Sequence, residues 1–143
     1  MTALTLAAAK TIIDAAFAKG EELELRPLGV SVLDAGGHLV AFQRQDGASF
    51  LRPQMSAGKA YGAVAIGMGG RRLEAFAKDR PHLMAGISDV SGSKILSVVG
   101  GVLIRDGAGT ILGAVGISGD SSENDEAAAI AGIEAAGFTA DPG

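Results

Sequence analysis

The chain has 143 residues, of which 48% are hydrophobic and none is cysteine, and its formal net charge is −4. A chain of this length can bury a core without disulfides or bound metal, so we expect a single domain over residues 1–143. The lack of cysteine excludes disulfide and thiolate chemistry. The lack of clustered basic residues argues against a nucleic-acid partner.

Residues 1–20 are rich in alanine but lack the basic start and the uninterrupted apolar run of a secretory signal, since Lys10, Asp14 and Lys19 interrupt it. No window approaches the roughly 20 apolar residues that cross a bilayer. We therefore expect a cytoplasmic protein with no membrane partner. Apolar residues at helical spacing instead predict an amphipathic helix over residues 4–19, which ends at Gly20.

Residues 30–47 predict a β-hairpin. Residues 30–33 alternate as in a strand with one face more buried than the other. The following Asp-Ala-Gly-Gly, residues 34–37, is typical of a tight turn, in which Asp34 accepts a hydrogen bond from the backbone two residues on. Residues 38–44 predict the return strand, and Asp46-Gly47 is a second turn signal.

Residues 54–68 predict a second helix, with Pro53 in its first turn. Its interior glycines each weaken a helix by up to about 1 kcal/mol relative to alanine. Such a helix is typical of a place where another backbone or a flat ligand approaches closely. Residues 71–78 predict a shorter helix. Residues 79–97 contain Pro81, Gly86 and several serines, and we expect a loop with room for a turn or two of helix.

The last third of the chain predicts a second hairpin and a closing helix. Residues 98–105 and 110–118 flank an Asp/Gly-rich turn. Ser122 is the predicted N-cap of the last helix, with Asp125 three residues later as a weak capping box, and Gly137 ends the helix. The order helix, hairpin, helices, hairpin, helix predicts an α+β fold: an antiparallel sheet of two hairpins flanked by helices.

Several short motifs occur in a characteristic order and spacing. They are residues 33–40, Arg44 with Asp46-Gly47, Lys59-Ala60-Tyr61, Gly100-Gly101 with Ile104, Asp106-Gly107, and residues 113–119 followed by Asp125-Glu126. In this order they resemble the GlcG/HbpS family, whose domain is also similar to the C-terminal part of PduO-type proteins. The resemblance extends from about Leu4 to Gly137.

The resemblance implies a sheet flanked by helices, similar to profilin-like domains, and assembly into homo-oligomers. It also implies a small-molecule ligand or a tetrapyrrole cofactor, either haem or a corrinoid. PduO-type relatives are thought to hold haem with a histidine on the first helix, and residues 4–19 contain none. Arg52 stands where a serine is common, and Leu103 stands where a proline is often found.

Lys59 is the leading candidate site residue, because it lies among small residues on the second helix. It could pair with a substrate carboxylate or a haem propionate, or be a surface lysine whose stem covers apolar neighbours. Arg44 is a second candidate anion partner. Alternatively, Arg44 and Asp46 pair with each other, although an exposed pair contributes only about 0–1 kcal/mol.

Four further residues complete the predicted ligand-binding set. His38 follows the glycine turn and either reaches a ligand or is solvated. Tyr61 either caps a ligand or packs in the interior. Ser118 precedes a helix whose free N–H groups could hold an anion, whereas Asp125 is better interpreted as a capping residue. Two histidines and no cysteine predict no dedicated metal site.

Three functional hypotheses follow. The first is a homo-oligomeric binding protein, accessory to a catabolic pathway, with an apolar groove near the second helix. The second is an enzyme acting on a small organic-acid intermediate, with Lys59, Asp46 or Asp125 as acid or base; a lysine would need burial to bring its pKa toward neutrality. The third is an oligomeric scaffold without a ligand.

Overall fold

The computed structural model describes residues 4–143, which form five helices and one five-stranded sheet. The helices are α1 (Leu6–Glu22), α2 (Arg52–Ile66), α3 (Gly70–Asp79), α4 (Pro81–Val90) and α5 (Ser122–Ala135). The strands are β1 (Gly29–Asp34), β2 (Leu39–Arg44), β3 (Gly101–Arg105), β4 (Ile111–Ser118) and β5 (Thr139–Asp141). None of the helices in this range combines the length and apolarity needed to cross a membrane.

The sheet is antiparallel throughout and its strand order is β2-β1-β4-β3-β5. The two predicted hairpins are β1-β2 and β3-β4, and their inner strands pair so that Val32 faces Val115. The predicted α+β fold, with an antiparallel sheet of two hairpins flanked by helices, is confirmed. The structure adds β5, which pairs with β3 at one edge.

Both hairpin turns are held by an aspartate. Oδ1 of Asp34 accepts hydrogen bonds from the backbone N–H groups of Gly36 and His38, each at 2.9 Å. The N–H of His38 lowers the pKa of the Asp34 carboxyl below its ordinary value, as does that of Gly36. Asp106 accepts from the backbone two and four residues later in the same way. The local sequence therefore dictates both chain reversals.

The sheet lies between two layers of helices. Helices α1 and α5 pack against each other and against one face, where the main core includes Ile12, Ile13 and Ile133. Helix α2 covers the other face. Strand β1 is therefore buried on both faces, whereas the sequence predicted one face more buried than the other. Its Ser31 is satisfied on the α2 side, where its Oγ lies 2.7 Å from that of Ser56.

Glycine allows α2 to lie close to the sheet. A Cβ on Gly116 of β4 would overlap the carbonyl oxygen of Ser56 on α2. Within α2, a Cβ on Gly58 would lie 3.0 Å from Cβ of Leu96. The glycines of this region therefore admit neighbouring parts of the chain, which is the first of the two explanations that the sequence left open.

Helix α1 ends later than predicted. Gly20 lies within the helix, and a Cβ there would meet Cδ1 of Leu28 at 2.9 Å. The chain leaves the helix after Glu22, and Glu24 takes the left-handed conformation with φ of 55°. Gly20 is thus explained by the packing of Leu28, not by helix termination.

The prediction of a loop over residues 79–97 was wrong for its first half, which forms α4. Pro81 begins this helix, where a missing N–H costs nothing and the fixed φ is already helical. Met84 is its buried residue. The helix therefore rests on the domain through few side chains, which weakens the apolar periodicity by which helices are recognised.

The end of the chain also differs from prediction. Ser121, not Ser122, caps α5, and its Oγ accepts from the N–H of Asn124 at 3.2 Å. Strand β5 follows α5, and Nε of Arg105 donates to Oδ2 of Asp141 at 2.9 Å. This strand has three residues, too few to show an alternating pattern.

Candidate ligand-binding groove

A groove of about 510 Å³ opens beside α2. Its three walls are α2, the end of the first hairpin and the irregular segment after α4. The residues that line these walls are Gln54, Met55, Ala57, Gly58 and Tyr61 from α2, Leu33, Gly37 and Leu39 from the hairpin, and residues 93–96 from the segment. Most of the lining is apolar, and the volume lies within the range of about 300–1,000 Å³ that is typical of small-molecule sites.

Tyr61 and Lys94 both line this groove, and their side chains contact each other. The half-buried ring of Tyr61 packs so closely on the hairpin turn that a Cβ on Gly37 would lie 3.0 Å from its Cε2. Nζ of Lys94 lies 5.7 Å from the ring centroid, within cation–π range. The segment that carries Lys94 is anchored to α2, because the N–H of Leu96 donates to the carbonyl of Gly58 at 3.1 Å.

Lys59 lies in the interior and not on the groove. Only 3% of its side chain is exposed, and its Nζ donates to Oδ2 of Asp125 at 3.1 Å and to the carbonyl of Ile117 at 2.8 Å. The interpretation of Lys59 as a surface lysine was wrong. Asp125 supplies its counter-charge, so a buried ion pair joins α2 to α5, and the hydrogen bond to Ile117 joins α2 to β4.

Asp125 is this lysine's partner and is itself 1% exposed. Its other carboxylate oxygen, Oδ1, accepts from the backbone N–H of Asp120 at 2.9 Å. The capping interpretation of Asp125 therefore needs correction: Ser121 caps the helix, while Asp125 points inward and binds the chain just before it.

Ser118 is also buried, at the end of β4. Its Oγ accepts a hydrogen bond of 2.8 Å from a terminal nitrogen of Arg52, at the start of α2. The Arg52 side chain also contacts the sulfur of Met55 at 3.5 Å, and Met55 lines the groove. Ser118 and Arg52 thus lie outside the groove lining and adjoin it through Met55.

The N-terminus of α5, where the sequence suggested an anion site, is occupied by the chain's own Asp120. This carboxylate accepts from the side chain of Asn124 at 2.8 Å, from the backbone N–H of Arg26 at 3.0 Å and from that of Ser121 at 2.8 Å. The bond from the Asn124 amide, followed by those from Arg26 and Ser121, lowers the pKa of Asp120 far below its ordinary value.

This pKa leads to a pH-dependent prediction. The folded-state pKa of Asp120 is below the unfolded value near 3.8, so its stabilisation is complete above that value and declines as the pH falls toward the folded-state pKa. We expect Asp120→Asn to lower the free energy of unfolding by about 1–2 kcal/mol at neutral pH and by less at about pH 3. Urea denaturation at both pH values measures this difference, and a pH-independent loss would contradict it.

The remaining predicted residues lie outside the groove lining. The side chain of His38 is 82% exposed, and its Nδ1 lies 3.2 Å from Oδ1 of Asp34. Arg44 and Asp46 are both exposed and line a separate, more open and more polar depression of about 520 Å³ near Pro27. The suggested ion pair between Arg44 and Asp46 is not formed in the described part of the chain.

Of the predicted set, the structure places Tyr61 on the groove and His38 beside its Gly37 wall. Sequence reasoning missed Lys94 together with Ile95 and Leu96. One signal could have found them: two consecutive large apolar residues after a lysine, in a segment otherwise rich in serine and glycine. Large apolar side chains in a loop usually cover another part of the protein or a binding site.

The α+β domain has helices on both faces of its sheet and a candidate ligand-binding groove beside α2. Residues 4–134 match the family described as haem degrading protein HbpS-like, so the chain belongs to that family. The resemblance drawn from the sequence motifs is therefore confirmed.

Individual relatives agree with this assignment. An uncharacterised 15.0 kDa protein of Citrobacter freundii is 33% identical over 122 residues, which cover 85% of this chain and 84% of the relative. A crystal structure of PduOC in complex with haem superimposes with a TM-score of 0.84 at 26% identity, covering 96% of this chain and 97% of the other. A double mutant of HbpS from Streptomyces reticuli gives 0.81 at 28% identity, covering 94% and 87%.

Proposed function

We propose that this protein binds haem, with the porphyrin plane in the groove beside α2. The observation that supports the proposal is the groove itself: about 510 Å³ of largely apolar space, with the Tyr61 ring in one wall. A wide apolar wall with few polar groups suits a flat hydrophobic ligand. The haem complex of PduOC and the description of the HbpS-like family support the same ligand class.

The groove lining offers few side chains of the types that commonly ligate haem iron. None of its lining residues is a histidine, and α1 in its described residues carries none either. Among the lining side chains, the phenol of Tyr61 and the thioether of Met55 are of the types that commonly ligate haem iron. Haem iron, when bound, supplies redox and oxygen chemistry; the chain's part is to bind the ring and shield it from water.

A titration tests the proposal directly. We expect haemin added to the purified protein to give a saturable one-site change in the Soret absorption. Ala57 lines the groove, so Ala57→Phe should fill it and weaken binding by about tenfold or more. A corrinoid titrated in parallel tests the related prediction of corrinoid binding.

Ala65→Phe is the matched control, because Ala65 lies on the same helix but is exposed and does not line the groove. Its haemin affinity should equal that of the unmodified protein. The groove assignment would be wrong if the two phenylalanine variants bound haemin equally well. Non-saturable absorption changes in the unmodified protein would contradict haem binding itself.

Self-association is a further proposal. Phe50 is 85% exposed, and Leu51 and Val90 are 50% and 87% exposed. Exposed apolar side chains that lie together in a patch, as the neighbours Phe50 and Leu51 can, are typical of surfaces that contact another protein. They support homo-oligomer formation, which the family resemblance implies. The single-domain organisation, the cytoplasmic location and the accessory role in a catabolic pathway stay predictions.

The geometry gives less support to an enzyme that uses Lys59 as an acid or base. Its ammonium group is enclosed with Asp125 and Ile117 and does not reach the groove. A general acid or base has to lie within hydrogen-bond distance of the proton that it transfers. Asp125 is enclosed in the same way, whereas Asp46 is exposed and lies on the separate depression.

A further inference from the structure

We propose that Lys94, and not Lys59, pairs with a carboxylate of the ligand in this groove. The inference rests on the proposed function, because it assigns the residue that orients the bound ring. Haem carries two carboxylates on one edge of an otherwise apolar disc. A groove with a charge at one place can therefore hold it in a single orientation.

The distribution of charge in the groove supports Lys94 as the partner of a ligand carboxylate. Among the described residues that line it, Lys94 carries the charge, while the others are apolar or neutral polar groups. None of the carboxylates in residues 4–143 forms an ion pair with its ammonium group. Its contact is the face of Tyr61, at 5.7 Å from the centroid. A ligand carboxylate next to that ring would meet an uncompensated cation.

The position of Lys94 in the groove supports the same role. The side chain of Lys94 is exposed, whereas Ile95 and Leu96 behind it are half-buried, so the charge lies at the open rim and the apolar surface lies deeper. Ser93 holds the chain in the left-handed conformation, with φ of 60°, immediately before the lysine. Because Leu96 is bonded to α2, the lysine is attached to a fixed wall of the groove. A porphyrin would then place its carboxylate edge at the rim.

The experiment compares haemin with haemin dimethyl ester, whose carboxylates are uncharged, in Lys94→Met. This change keeps an apolar stem over Tyr61 and removes the charge. We expect haemin to bind about threefold to tenfold more weakly, with the affinity of the ester unchanged. Added salt should weaken haemin binding to the unmodified protein more than to the variant. Lys94→Arg should restore most of the affinity.

Lys10→Met is the matched control, since Lys10 is exposed on α1, on the opposite side of the sheet from α2. It should leave both affinities unchanged. Equal losses for haemin and ester in Lys94→Met, or no loss for haemin, would overturn the role of Lys94 while leaving haem binding intact. Failure of the unmodified protein to bind either ligand would instead overturn the proposed function and this inference together.

Discussion

Replacing Asp125 by asparagine is expected to lower the free energy of unfolding by about 3–5 kcal/mol, because it leaves the buried ammonium of Lys59 without a counter-charge. The Lys59 side chain is 3% exposed, so little water is available to stabilise its charge once the carboxylate is removed. The asparagine keeps the shape of the side chain, so the loss measures charge and hydrogen bonding instead of packing. Urea denaturation at neutral pH gives the value.

An exposed pair provides the control. Lys78 and Glu74 on α3 are 3.8 Å apart, with 77% and 30% of their side chains exposed. Glu74→Gln should change the stability by less than about 0.5 kcal/mol, because water screens and replaces such an interaction. If Asp125→Asn were as mild as Glu74→Gln, the buried pair would not join α2 to α5 in the way that the structure indicates.

The pair can also be removed as a unit. In Lys59→Met combined with Asp125→Asn, no buried charge is left without its partner. The loss of stability should therefore be smaller than the sum of the two single losses, since residues in direct contact couple strongly. Additive losses would show that the two side chains stabilise the protein independently.

The elements that the sequence predicted well are those whose cause is local. Both hairpin turns depend on an aspartate that bonds the backbone two to four residues later, at Asp34 and at Asp106. Such contacts lie within a single short window of sequence. The family motifs extended the prediction to the whole fold, because they occur in order along nearly the whole chain.

The errors in the predicted site residues arise from contacts between residues that are far apart in the sequence. Lys59 and Asp125 are 66 residues apart, so nothing near either one shows that they neutralise each other. The same separation explains why Lys59 was interpreted as an anion partner for a ligand. Likewise, the wall formed by Lys94 and Leu96 becomes visible only when residues 93–96 are placed against α2. Burial and charge pairing are properties of the assembled fold.

Small residues on α2 and the sheet let the two lie close together, so a larger residue at Gly116 should destabilise the protein. Gly116→Ala should destabilise the protein by about 3 kcal/mol, at the upper end of the usual cost of overpacking. Its Cβ would overlap the carbonyl oxygen of Ser56 and lie 2.8 Å from the amide nitrogen of Ala60. Both atoms belong to the helix backbone, so no side chain can turn aside to make room. The free energy of unfolding from urea denaturation measures the loss.

Gly107→Ala is the matched control, because no atom lies within 4 Å of the added Cβ and the turn does not need a positive φ there. Its stability should stay within about 0.5 kcal/mol of the unmodified protein. Gly116→Ala should also weaken haemin binding, since a displaced α2 carries Met55 and Tyr61 with it. A variant as stable as Gly107→Ala would mean that α2 can retreat from the sheet at little cost. Loss of stability with unchanged haemin affinity would mean instead that the groove does not depend on this contact between helix and sheet.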